Sequence, residues 1–177
     1  MTPRRWSTLI LVVLFEAWMY DRYAALGAQF HFWLHGLFGA ALGLAALTLF
    51  RLARRRLDGR VAPWEAGWAG HLYSAVPDFL FLLFGVLHMF WMDVFALHIT
   101  LHFVPRPLLT MWALFSVILL GYGLAMTDRR PATLSTLAVA AGGLVLALAF
   151  ASDVPVTVGE LRTHDGFALM CPVIGHA

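Results

Sequence analysis

Cysteine is almost absent from this sequence. Cys171 is the only one among 177 residues, which excludes an intramolecular disulfide, a CxxC redox pair and a thiolate zinc cluster. It reads as a small buried or interfacial residue. Charge is scarce too, at 12% of residues against 61% hydrophobic side chains, too little polar surface to cover a water-soluble domain of this length. Lipid is therefore the expected solvent. No internal repeat or low-complexity linker is evident, and residues 1–177 read as a single transmembrane domain with no separate soluble module. The formal charge of +2 comes from arginine clusters beside apolar stretches. These clusters share no helical face and no interleaved exposed aromatics, so nucleic acid is not an expected partner.

What the chain does have is apolar runs close to the roughly 20 residues that a helix needs to cross about 30 Å of hydrocarbon. Charges and prolines divide them into five expected spans, at residues 6–20, 23–50, 66–91, 108–126 and 132–151, with a tail at 152–177. The expected fold is an all-α integral membrane bundle of about five transmembrane helices, with a short interfacial helix over residues 93–104 after the third. Pro77 falls inside the third span, where it removes a backbone donor and kinks the helix. The alternative is a half-helix over residues 64–74 lying at the interface. Gly142-Gly143 in the fifth span reads as a site of close helix packing. Arg4-Arg5, followed by an apolar run and small residues at 24–28, has the outline of a cleaved signal peptide. Glu16 and Asp21 argue instead for a retained first helix.

Arginine also indicates direction, because basic residues concentrate in short cytoplasmic loops. Arg4-Arg5, the run 51–60 and Arg129-Arg130 all fall on one side if five spans alternate. The expected location is the cell inner membrane, multi-pass, with the N-terminus cytoplasmic and the tail outside.

Ionisable groups in hydrocarbon cost several kcal/mol unless they find partners or water, so each one is a candidate for function. Counted from the expected outer ends, His88 lies about 5 Å deep, Glu16 roughly 6 Å, His31 about 10 Å, His35 about 16 Å and Asp78 about 20 Å. His31 and His35 form an i, i+4 pair, as do His98 and His102, and that spacing puts both imidazoles of a pair on one helix face. Two such imidazoles plus a carboxylate from another helix can chelate one metal ion. The candidate ligands are His31, His35, Asp78, His88, His98 and His102, with Glu16 and Asp93 as candidate catalytic carboxylates. A lone intramembrane histidine such as His71 reads first as a packing residue, and His164 and His176 as solvated.

Nitrogen and oxygen donors favour a divalent ion, zinc first, with manganese or iron next, over copper(I), which prefers sulfur. In a hydrolytic site the metal lowers the pKa of a bound water and a carboxylate serves as general base. A site open to the outer leaflet suits a lipid-like substrate. The run GHLYSAVPDFLFLLFGVLH (70–88), with HFWLH (31–35) upstream and HITLH (98–102) downstream, resembles the small membrane-bound metal-dependent hydrolase-like proteins. That resemblance implies Asp78, His88, His98 and His102 as ligands. The chain departs from the family where a second acid follows Pro-Asp, here Phe79-Leu80-Phe81, and where an arginine follows the first downstream histidine, here Ile99. Residues 98–109 and DGFALMCP (165–172) bear a fainter resemblance to copper-handling assembly factors of cytochrome oxidases. Haem b held by His31 or His35 against His88, and a non-enzymatic membrane subunit, are further alternatives. Oligomeric state has no signature in the sequence.

Overall fold

In lipid each backbone N–H and C=O has to be satisfied within its own segment, and apolar runs meet that demand as helices. The computed structural model describes residues 3–54, 59–86 and 89–152. Among these there are six α-helices and no strand. They are α1 (Pro3–Ala25), α2 (Gln29–Arg54), α3 (Pro63–Ser74), α4 (Val76–Phe84), α5 (Pro107–Met126) and α6 (Arg130–Ala149). Proline opens α3, α4, α5 and α6 in the first turn, where its missing N–H costs nothing.

Three of these helices, α2, α5 and α6, are long and apolar enough to cross a membrane, not the five expected. The two apolar runs after residue 106 form helices close to their expected limits. The first expected span is the 23-residue helix α1, but Arg5, Glu16, Asp21 and Arg22 interrupt its apolar surface. It also continues to Ala25, past the expected start of the second span, and Gly27 at φ 69° makes the turn into α2. The third expected span, 66–91, is broken at Ala75 into α3 of 12 residues and α4 of 9, and Gly85 in the left-handed conformation ends α4. Pieces of that length reach only about 18 and 14 Å. The half-helix over 64–74 nearly matches α3. In place of the interfacial helix at 93–104 there are two 3-10 turns, Phe90–Val94 and Thr100–Phe103, separated by Ala96 and Leu97 at φ 60° and 54°.

Helix α2 is the hub. It packs against α1, α3 and α5, and α6 packs on α5. The α2–α3 contact is backbone to backbone: a Cβ on Gly39 would stand 2.4 Å from the Gly70 carbonyl oxygen, and one on Gly43 would stand 1.9 Å from that of Ala66. Small residues permit this approach. A Cβ on Gly142 or Gly143, expected to mediate such packing, would meet nothing within 4 Å, so neither is a point of close helix approach.

Arg5, Arg51 and Arg60 meet at one end of the bundle, whereas Arg22, in the last turn of α1, and Arg106, at the start of α5, lie at the other. Arg5 donates to the Arg60 carbonyl at 2.9 Å, and Arg51 donates to the Tyr122 hydroxyl at 2.7 Å. The N-terminal segment, the α2–α3 connection and the C-terminal end of α5 therefore meet at the Arg51 end. His31 and His35 occupy the first turns of α2, so roughly 30 Å of helix separates His31 from Arg51.

Candidate metal centre

Three segments deliver side chains to one point at the end of the bundle opposite Arg5, Arg51 and Arg60. His31 and His35 stand one turn apart on α2. Asp78 lies in the first turn of α4, where the positive end of the helix dipole favours a carboxylate. His98 comes from the loop between α4 and α5. Each of these four offers a ligand atom, all within 4.8 Å of one another. All four residues are buried, none more than 3% exposed.

The closest pairs are His31 Nε2 to Asp78 Oδ1 at 2.8 Å and His98 Nε2 to the same oxygen at 3.4 Å. His102, half-buried on the second 3-10 turn, brings its Nε2 to 3.2 Å from His35 Nε2. Zinc–nitrogen bonds of 2.0–2.1 Å in tetrahedral geometry put neighbouring donors about 3.3 Å apart. The His98–Asp78 pair has that spacing, and the His31–Asp78 pair at 2.8 Å is closer.

His98 sets the electronic character of the cluster. Its Nδ1 lies 3.0 Å from the Ser74 carbonyl. A carbonyl can only accept, so Nδ1 carries the hydrogen and donates it. Nε2 of a neutral ring then presents its lone pair to Asp78 Oδ1. Two electron-rich atoms face each other unless a cation or a second proton lies between them. A backbone carbonyl that fixes the tautomer from behind is the usual support of a metal-bound imidazole.

The His98 loop is held by Asp93. Its Oδ1 accepts from the Ile99 and Thr100 backbone N–H groups at 2.6 and 2.9 Å, and its Oδ2 accepts from the Thr100 hydroxyl. These bonds span the left-handed residues Ala96 and Leu97, a conformation that costs roughly 1–2 kcal/mol per non-glycine residue.

Among the candidate residues, the structure thus brings together His31, His35, Asp78, His98 and His102. Asp93 stands behind His98 as a clasp. Glu16 lies elsewhere, with its Oε1 3.2 Å from Nδ1 of His71 on α3. His88, His164, His176, Cys171 and the tail motif at 165–172 lie outside the described residues. Two further contributors are not among the candidate residues of the sequence. Tyr23, buried at the end of α1, stacks on His31 with ring centroids 5.8 Å apart. Ser74 acts through its carbonyl, which has no sequence signature. Tyr23 had one signal, an aromatic on the charged side of the α1–α2 turn, eight residues before His31.

With three buried imidazoles and one carboxylate around a common point, the cluster is able to hold a metal ion. Comparison with protein-family models, with curated proteins and with solved structures finds no significant match for this chain.

Proposed function

We propose that this chain is an integral membrane metalloprotein that binds a divalent ion, zinc first, at His31, His35, Asp78 and His98, and that it hydrolyses an amphiphilic, lipid-like substrate. The observation that carries the metal assignment is the convergence of four buried ligand atoms, one each from His31, His35, Asp78 and His98, within 4.8 Å of one another. A donor set of nitrogen and oxygen without thiolate favours zinc or a similar borderline divalent ion over copper(I).

Hydrolysis is supported by this donor chemistry and by the Pro77-Asp78 and His98-x3-His102 elements. A bound divalent ion would supply Lewis acidity and lower the pKa of a coordinated water. Asp78 and the imidazoles would hold it, and half-buried His102, beside His35, is placed to take up a proton. By the positive-inside rule the arginine end faces the cytoplasm and the metal centre the outer leaflet of the inner membrane, where amphiphiles have access.

The test is elemental analysis and an absorption spectrum of the detergent-purified protein, followed by a panel of amphiphilic ester and phosphodiester substrates with and without chelator. About one divalent ion per chain, no Soret band, loss of the ion in His98→Ala, and chelator-sensitive cleavage are expected. A stable, metal-free wild-type protein would overturn the metal centre. A metal-loaded protein inert toward the whole panel would leave the metalloprotein and overturn the hydrolase.

A further inference from the structure

At the other end of the bundle a buried cation has no carboxylate partner among the described residues. Arg51, in the last turn of α2, is only 6% exposed. Its Nη1 donates to the Tyr122 hydroxyl at 2.7 Å and its Nη2 to the Val61 carbonyl at 2.8 Å. Both acceptors are neutral. Its Nε has no hydrogen-bond partner, and no carboxylate among the described residues pairs with the guanidinium. A buried charge without a counter-ion is costly, so the site favours an anion brought from outside.

Space for one is present. A cavity of about 540 Å³ opens beside Arg51, with Arg54 and Arg60 on its rim and Leu47, Phe50 and Val61 on its walls. Arg54 and Arg60 are exposed, and the Arg54 guanidinium sits 5.2 Å over the Phe50 ring. Three guanidiniums around one concavity suit a phosphate, which arginine recognises by paired hydrogen bonds. The apolar walls distinguish this cavity from a site for a free inorganic ion. Phe50, 58% exposed, lies one turn before the end of the apolar helix α2, beside Arg51 and Arg54. Basic pockets beside membrane helices bind anionic headgroups in this way.

We propose that the cavity lined by Arg51, Arg54 and Arg60 is a binding site for the phosphodiester headgroup of an anionic membrane phospholipid, seated roughly 30 Å of helix away from the metal centre. Arg51 supplies the buried charge and a free Nε–H. Arg54 and Arg60 close over the phosphate from the rim, and Leu47 and Phe50 receive the first methylenes of the chains.

The experiment is thermal unfolding of the full chain, followed by tryptophan fluorescence, in micelles doped with phosphatidylglycerol, with phosphatidylcholine, or with inorganic phosphate in the buffer. Phosphatidylglycerol is expected to raise the melting temperature in a saturable way, and phosphatidylcholine is not. Arg54→Gln and Arg60→Gln, at exposed positions that leave the fold intact, are each expected to weaken the apparent affinity roughly fivefold with metal content unchanged. Equal shifts with both lipids, or an unaltered phosphatidylglycerol effect in the double variant, would overturn the site. A shift with inorganic phosphate equal to that with phosphatidylglycerol would assign a free anion and overturn the lipid. Asp58→Asn tests the acid in the connecting segment outside the described residues. Lipid preference that persists supports the site; preference that appears only in that variant would give the Arg51 charge to Asp58 and overturn it.

Discussion

His35 and His98 stack ring on ring, with centroids 3.8 Å apart and planes 12° from parallel, although one lies on α2 and the other on the loop before α5. Two imidazolium rings cannot share that arrangement in a dry interior, because like charges repel strongly at low dielectric. Two neutral rings can, and both then offer lone pairs to one ion. Metal removal should therefore unsettle the end of the bundle where α2, α4 and the loop meet. An ion present at 100 times its dissociation constant stabilises the folded state by about 2.7 kcal/mol. Chelator is expected to lower the melting temperature of the wild type and to leave that of His35→Ala unmoved. A chelator shift of the same size in both proteins would remove His35 from the donor set.

Asp93 separates positioning from catalysis. Its carboxylate oxygens are taken up by Ile99, Thr100 and the Thr100 hydroxyl, and the loop they close carries His98. Asp93→Ala would strand two backbone donors at about 1–3 kcal/mol each and let the left-handed residues Ala96 and Leu97 relax. Metal affinity should fall roughly 10–100-fold, as for other outer-shell supports, and excess metal should restore occupancy. Isothermal titration with zinc measures this. An Asp93→Ala protein with wild-type affinity but no hydrolysis would return Asp93 to the catalytic role that its position in the sequence suggests.

Sequence patterns stop being informative where tertiary partners take over. Helices α5 and α6 are legible because a lipid-facing helix needs only apolar length, and the residues after Arg106 provide it. Helix α1 and the α3–α4 pair are not, because Glu16, His71 and Asp78 are satisfied by tertiary partners invisible in the chain order. The pairing of His31 with His35 is written in helical spacing. Their meeting with Asp78 and His98 depends on the break at Ala75 and on a loop held by Asp93, and neither follows from periodicity. The Ser74 carbonyl, which sets the His98 tautomer, belongs to the backbone and has no residue code at all.

Glycine positions in α2 and α6 give an internally controlled test of packing. A methyl on Gly43 would lie 1.9 Å from the Ala66 carbonyl oxygen, while one on Gly142 would meet nothing within 4 Å. Gly43→Ala should force α2 and α3 apart and cost about 1–3 kcal/mol, the usual range for overpacking. Gly142→Ala should be neutral or stabilising by up to about 1 kcal/mol, the helix-propensity gain of alanine over glycine. Unfolding in one detergent, with the two variants side by side, measures the difference. Equal effects would mean that α2 and α3 do not approach through their backbones.

Glu16 and His71 make the last distinction. Their closest atoms are 3.2 Å apart, with side chains 23% and 10% exposed, and they tie α1 to α3 outside the group of metal donors. Polar contacts between membrane helices contribute about 0.6 kcal/mol on average and at most about 1.7 kcal/mol. Glu16→Gln keeps the shape of the side chain and removes its charge, so a stability loss within that range is expected, with one divalent ion per chain retained. A loss of the ion in Glu16→Gln would move the carboxylate into the donor set. Retained metal with abolished hydrolysis would make Glu16 the base that its depth in the first expected span suggested. Retained metal and retained hydrolysis would leave it a tie between α1 and α3, the role its contact with His71 already gives it.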